Sequence, residues 1–133
     1  MQDEIRFGTD GWRAVIADGF TFENVRRVAQ AVAGYAREEI IKSPNRKKSP
    51  WAVPIIVGYD RRFQSDAFAR EIAKVLHGNK LEVLLLAEVL PTPAVSFMTH
   101  RSKGLGILVT ASHNPAAYNG IKLKFAGRPA MAP

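Results

Sequence analysis

The stretch "LGILVTASHNPAAYNGIKLKF", residues 105–125, decides the fold. Its opening "LGILVTA" is apolar enough to be a buried strand. Its closing "IKLKF" alternates, with Ile121, Leu123 and Phe125 on one face and Lys122 and Lys124 on the other, the pattern of a strand with one buried side. The connection from 111 to 121 is too short for a helical crossover, so these two strands are predicted to be antiparallel. Polar residues crowd that connection: Ser112 and His113 side by side, then Asn114, Pro115 and a turn at "YNG".

Upstream, helices and strands alternate. Val25, Val28, Ala29, Val32, Ala36 and Ile40 recur at helical spacing, and Thr21 is placed to cap a helix over 22–41. "AVPIIVGYD" (52–60) and "LEVLLLA" (81–87) read as buried strands. Between them, "SDAFAREIAKVLHG" (65–78) sets Phe68, Ile72, Val75 and Leu76 on one helical face, with Ser65 or Asp66 as cap and Gly78 as stop. Pro93 suits the first turn of a short helix over 92–103. The Gly-rich segment before Thr21 is expected to supply an edge strand or hairpin. The sum is an α/β protein: a three-layer α/β/α domain with a mixed, mostly parallel sheet of about four main strands.

Composition bounds the function. The chain has 133 residues, enough for one domain, and no cysteine, which removes disulfides, thiolate catalysis and cysteine-ligated zinc. A cytoplasmic location is compatible with that and is the expectation. The N-terminus carries acids rather than an apolar run, and "LEVLLLAEVL" is too short to span a bilayer, so no membrane partner is expected. A net charge of +7 favours anionic partners. Much of the excess lies in "KSPNRKKSP" (42–50), a Pro-bracketed solvated loop. No aromatic residue interleaves those charges, so no nucleic acid is expected there, although weak salt-sensitive association would follow from charge alone.

Ligands of open α/β sheets gather at the carboxyl ends of parallel strands. "GYDRRFQS" (58–65), "EVLPTP" (88–93) and "TASHNP" (110–115) mark three such ends, and the third is the richest. Ser112 is a candidate nucleophile, but a hydrolase elbow wants glycine two residues to either side, where Thr110 and Asn114 stand. His113, its immediate neighbour, is also poorly placed to deprotonate it. Phosphoryl transfer fits better, for it needs an accepting oxygen, surrounding cations and a proton shuttle. Ser112 offers the oxygen, Arg13, His113, Lys122 and Lys124 the charge, and Lys122 the shuttle. Plainer readings stand beside this one. Ser112 equally suits a turn cap, His113 a loop hydrogen bond, the lysines the wet face of an edge strand, and Asp60 with Arg62 a surface pair of small weight. No two carboxylates or histidines have metal-ligand spacing.

Taken together, "FGTDGWR", "GYDRRFQS", "TASHNP" and "NGIK" resemble the first domain of the α-D-phosphohexomutases, the phosphoglucomutase/phosphomannomutase family, from about Ile5 to Phe125. The resemblance implies an isomerase that moves phosphate between the 1- and 6-positions of a hexose, glucose or mannose, by way of a 1,6-bisphosphate. It implies Ser112 as phosphoserine and Mg²⁺ ligand through its phosphate, Arg13 and His113 around that phosphate, and Lys122 as acid/base. Thr9, Gly11, Asn114, Gly58, Asp60 and Arg62 match supporting positions. Mg²⁺ is the implied cofactor, its other ligands coming from a second domain, and glucose 1,6-bisphosphate the activator. Domains II–IV of the family are absent from residues 1–133, so the chain is expected to be one domain of a longer enzyme, inactive alone and able to self-associate through faces the other domains would cover. The competing expectation is a stand-alone phosphate-binding module without catalysis.

Overall fold

A computed structural model of the chain describes residues 5–7, 11–111, 114–125 and 128–129. Strand β1 (Trp12–Val15) is followed by helix α1 (Phe22–Lys42), strand β2 (Ile55–Tyr59), helix α2 (Ser65–Gly78), strand β3 (Val83–Leu85), helix α3 (Thr92–Ser102), strand β4 (Leu105–Val109), strand β5 (Tyr118–Phe125) and a two-residue β6 (Arg128–Pro129). The sheet runs β1-β5-β4-β2-β3, with β6 paired to β5. Strand β2 lies parallel to both β3 and β4, whereas β5 is antiparallel to β4, to β1 and to β6. The mixed sheet thus has a parallel centre and an antiparallel flank, and its short strands β1, β3 and β6 raise it above the four main strands expected.

The helices fall where their apolar faces require. Along α1, Val25, Val28, Ala29, Ala33 and Ala36 are buried, and Thr21 accepts a 3.1 Å hydrogen bond from the Asn24 amide, as an N-cap does. Along α2, Phe68, Ile72 and Leu76 are buried one turn apart. Both helices pack on the sheet face formed by Ile55, Val57, Ile107, Val109 and Ile121. The opposite face is covered by α3 through Val95, which meets Ile56, Leu86 and Leu108. Gly106 makes that approach possible, because a Cβ there would meet the Thr99 side chain.

This division of helices follows from the topology. After β2 the chain crosses by α2 to β3, on one side of β2, and then returns by α3 to β4, on its other side. Right-handed crossovers in opposite directions place their helices on opposite faces and open a crevice between the carboxyl ends of β2 and β4.

Four local expectations are corrected. The strand read over 81–87 as buried spans only Val83–Leu85 and leaves Leu84 48% exposed, because β3 is an edge strand paired with β2 alone. The strand read over 52–60 begins only at Ile55, because residues 50–52 form a 3₁₀ turn whose Trp51 amide is capped by the Ser49 hydroxyl at 3.2 Å. Helix α2 is not capped by Ser65 or Asp66. Gln64 holds the cap position in the left-handed region, φ 61, and the Ser65 hydroxyl is engaged elsewhere. Finally, "YNG" is strand rather than turn. Tyr118, Asn119 and Gly120 pair with Val15, Ala14 and Arg13 of β1, so the N-terminal strand extends β5 past the end of β4. The turn itself closes earlier, with the Tyr118 amide on the Pro115 carbonyl at 2.9 Å.

The segment joining β1 to α1 is held by one ring. Phe20 is fully buried, stacked on Trp12 at 4.8 Å between ring centres and edge-on to Phe68 at 4.7 Å. Phe20→Ala is expected to cost about 3–5 kcal/mol. Urea unfolding with an unchanged slope measures it. A loss below about 1 kcal/mol would show that this ring does not fasten β1 to the core.

Candidate active site

The crevice between β2 and β4 is built largely from backbone, held by a few side chains. Past the end of β2, the Asp60 amide donates to the Val109 carbonyl of β4 at 3.1 Å. The Asp60 carboxylate then turns back on its own loop. Its Oδ1 accepts from the Arg62 amide at 3.0 Å and the Ser65 hydroxyl at 2.8 Å, and its Oδ2 lies 3.5 Å from Arg62 Nε. With its Nε beside that carboxylate, the guanidinium reaches across the crevice. One terminal nitrogen donates to the carbonyls of Pro115 (2.8 Å) and Tyr118 (3.0 Å), the other to that of Asn114 (2.7 Å).

The plain reading of Asp60 and Arg62 as a surface pair is therefore overturned. Only 14% of the Arg62 side chain is exposed, and its planar fork spans carbonyls that no point charge could bridge together. It fastens the far side of the very connection that contains Ser112.

Cations meet on the neighbouring face. Trp12 and Ile121 belong to the core on the α1–α2 side, so Arg13, Lys122 and Lys124 project from the other face of the sheet. Arg13 stands opposite Gly120, two residues before Lys122 on the same face, which makes Arg13 and Lys122 diagonal neighbours. Gly120 allows this approach: a Cβ there would meet the Trp12 carbonyl and, at 2.9 Å, both Arg13 Cγ and the Thr110 carbonyl. One Arg13 terminal nitrogen donates to Asn114 Oδ1 at 2.6 Å, while its Nε is buried without a hydrogen-bond partner among the described residues. Gly11 carries φ 88, and a Cβ there would strike the Ile121 carbonyl, so Gly11 lies directly on β5.

The structure thus brings together Gly11, Arg13, Asp60, Arg62, Asn114 and Lys122. Ser112, His113 and Thr9 lie outside the described residues. The "EVLPTP" end takes another course, with Pro91 capping α3 and Glu88 exposed. Sequence patterns miss two residues. Ser65 reads as a helix cap and Asn119 as a turn residue, yet both are fully buried and joined by a 2.8 Å hydrogen bond. Among the described residues no group of three or more His, Cys, Asp or Glu side chains is placed to hold a metal ion.

Residues 4–132 match the family model described as phosphoglucomutase/phosphomannomutase, alpha/beta/alpha domain I. The chain belongs to the phosphoglucomutase/phosphomannomutase family. A Schizosaccharomyces pombe protein named "Probable phosphoribomutase" is 35% identical over 134 residues, covering 100% of this chain and 22% of that protein. A phosphoglucosamine mutase of Thermotoga petrophila is 37% identical over 117 residues, covering 88% of this chain and 24% of the relative. A crystal structure of a "putative phosphomannomutase" from Thermus thermophilus superposes with a TM-score of 0.82 at 42% identity, covering 98% of this chain and 28% of that one. The chain therefore spans about a quarter of the length of such mutases. No helix among its described residues is long and apolar enough to cross a membrane.

The Arg62 contacts carry a stability prediction for this domain I. Arg62→Ala strips three carbonyls of a shared charged donor and removes the guanidinium beside Asp60, and is expected to cost about 2–3 kcal/mol. Arg62→Lys should recover less than half, because an ammonium lacks the fork. Urea midpoints of both variants decide it. Wild-type stability in the lysine variant would show that charge alone suffices.

Proposed function

We propose that the chain is the serine-bearing domain of a mutase moving phosphate between the 1- and 6-positions of a hexose. The carrying observation is the pairing of Arg13 and Lys122 on one sheet face beside Asn114, with Arg13 Nε buried and still lacking an acceptor among the described residues. A buried guanidinium nitrogen in that condition suits an anion, and the chain segment between Ala111 and Asn114 contains the one hydroxyl suited to carry a phosphoryl group.

The proposed reaction is two transfers in opposite directions. Phosphorylated Ser112 loses its phosphoryl group as the P–O bond to Oγ breaks and a new P–O bond forms to the free hydroxyl of a hexose monophosphate. Lys122 takes the proton from that hydroxyl. The bisphosphate then presents its other phosphate, Ser112 Oγ accepts that group, and Lys122 returns the proton to the departing sugar oxygen. Arg13 and His113 hold the phosphoryl oxygens through both steps, while Asn114 orients Arg13. Mg²⁺, held through the phosphate carried by Ser112, would supply counter-charge to the transferring group. Glucose 1,6-bisphosphate is the expected source of the first phosphoryl group.

Incubation of the full-length gene product with glucose 1,6-bisphosphate should place phosphate on the peptide containing Ser112, detectable by mass spectrometry. Ser112→Ala should lower turnover of glucose 1-phosphate or mannose 1-phosphate by roughly 10³-fold or more with the fold retained. Full activity in that variant would exclude the covalent route. Lys122→Met should lower kcat by about 10²–10⁴-fold and leave phosphorylation by the bisphosphate detectable, whereas a purely structural lysine would change stability and not kcat.

A further inference from the structure

The hydrogen bonds that hold the crevice close into a ring. Asn119 Nδ2 donates to the Ser65 hydroxyl at 2.8 Å, and that hydroxyl donates to Asp60 Oδ1 at 2.8 Å. Asp60 accepts from the Arg62 amide and faces its Nε. Arg62 reaches the carbonyl of Tyr118, which is bonded covalently to Asn119. Asn119 Oδ1 in turn accepts from the Gly120 amide at 2.8 Å. The Asn119 and Ser65 donors both point toward the Asp60 carboxylate, an arrangement in which successive bonds polarise one another, and Arg62 closes the ring by donating both to Asp60 and to the Tyr118 carbonyl.

Ser65 and Asn119 are both 0% exposed, and their mutual hydrogen bond leads to the Asp60 carboxylate. Two apolar residues of similar shape would serve stability as well, since a satisfied buried polar pair gains little over packing. Directional bonds do something packing does not: they fix the angle at which β5 leaves the 114–118 turn. Two functional positions depend on that angle. Lys122 lies three residues beyond Asn119 on the same strand, and Asn114, at the other end of the turn, holds Arg13.

We infer that Ser65 and Asn119 are positioning residues, whose link through Asp60 and Arg62 sets Lys122 and the Arg13–Asn114 pair relative to one another. The catalytic half of this inference rests on the proposed mutase reading; the structural half does not. The test uses Ser65→Ala and Asn119→Ala, with Ser102→Ala as control. Ser102 donates to the Thr99 carbonyl at 3.0 Å near the end of α3, a hydrogen bond of similar kind outside the crevice. Amide hydrogen exchange of this chain should quicken about 10-fold or more across 114–120 in Ser65→Ala and Asn119→Ala, while Val57 and Leu108 keep wild-type protection. In the full-length product, kcat should fall roughly 10–100-fold with KM within about twofold, at a temperature where all variants are folded, and Ser102→Ala should match wild type.

Unchanged exchange at 114–120, or a kcat loss no larger than the control's, overturns the assignment. Should one variant fail to fold, the other decides. Global unfolding of both would show that the pair supports the whole domain and not the crevice. Absence of mutase turnover in the wild-type product would sink the functional reading instead, and the exchange experiment would still decide whether the pair holds the turn.

Discussion

The guanidinium of Arg62 is the constraint on which the crevice depends. The described residues between β4 and β5 lie outside helix and strand, yet they must hold one shape where the sheet ends. Backbone carbonyls there have lost their ladder partners and need donors. Arg62 supplies several from one rigid plane, and Asp60 keeps that plane aimed by taking its Nε side while tying its own amide to β4. A flexible ammonium or a neutral amide in its place would satisfy fewer carbonyls and fix no angle.

The need for such a clamp arises from the topology. The return of the chain across β2 opens a crevice between the ends of β2 and β4, and the antiparallel flank then brings β5 and β1 back along its side. The crevice thus gains two kinds of wall. Parallel strands give it loops rich in hydrogen-bonding groups. The antiparallel flank gives it cations, because only one face of β5 and β1 meets the α1–α2 core, and the other carries Arg13, Lys122 and Lys124. The cluster of cations and the sheet edge are in this sense one feature.

Glycine brings the walls together. Gly120 lets β1 and the Thr110 carbonyl approach β5, and Gly11, in the left-handed region, rests on Ile121. A β-carbon at either position would push the strand carrying Arg13 away from the strand carrying Lys122. Their proximity therefore comes from backbone shape and not from attraction, as two cations would otherwise repel.

Much was legible in the residues alone. Periodicity identified α1 and α2, and apolar runs identified the buried strands β2 and β4, because burial leaves its mark locally. The length of the 111–121 connection determined the antiparallel return of β5, and the alternation of "IKLKF" determined which face its lysines take. The motif residues Arg13, Asp60, Arg62, Asn114 and Lys122 stand out only through the motifs they belong to, since Asp and Asn are common in turns and Lys on the wet face of a strand. The tertiary structure alone decided what each one touches. It converted Arg62 from a surface ion into a clamp, Ser65 from a cap into a buried link, and "YNG" from a turn into strand, since those outcomes depend on partners 50 or more residues away or on a strand from the other end of the chain. Local sequence records which face of an element is buried; it does not record who stands opposite, because that is fixed by the order of strands in space.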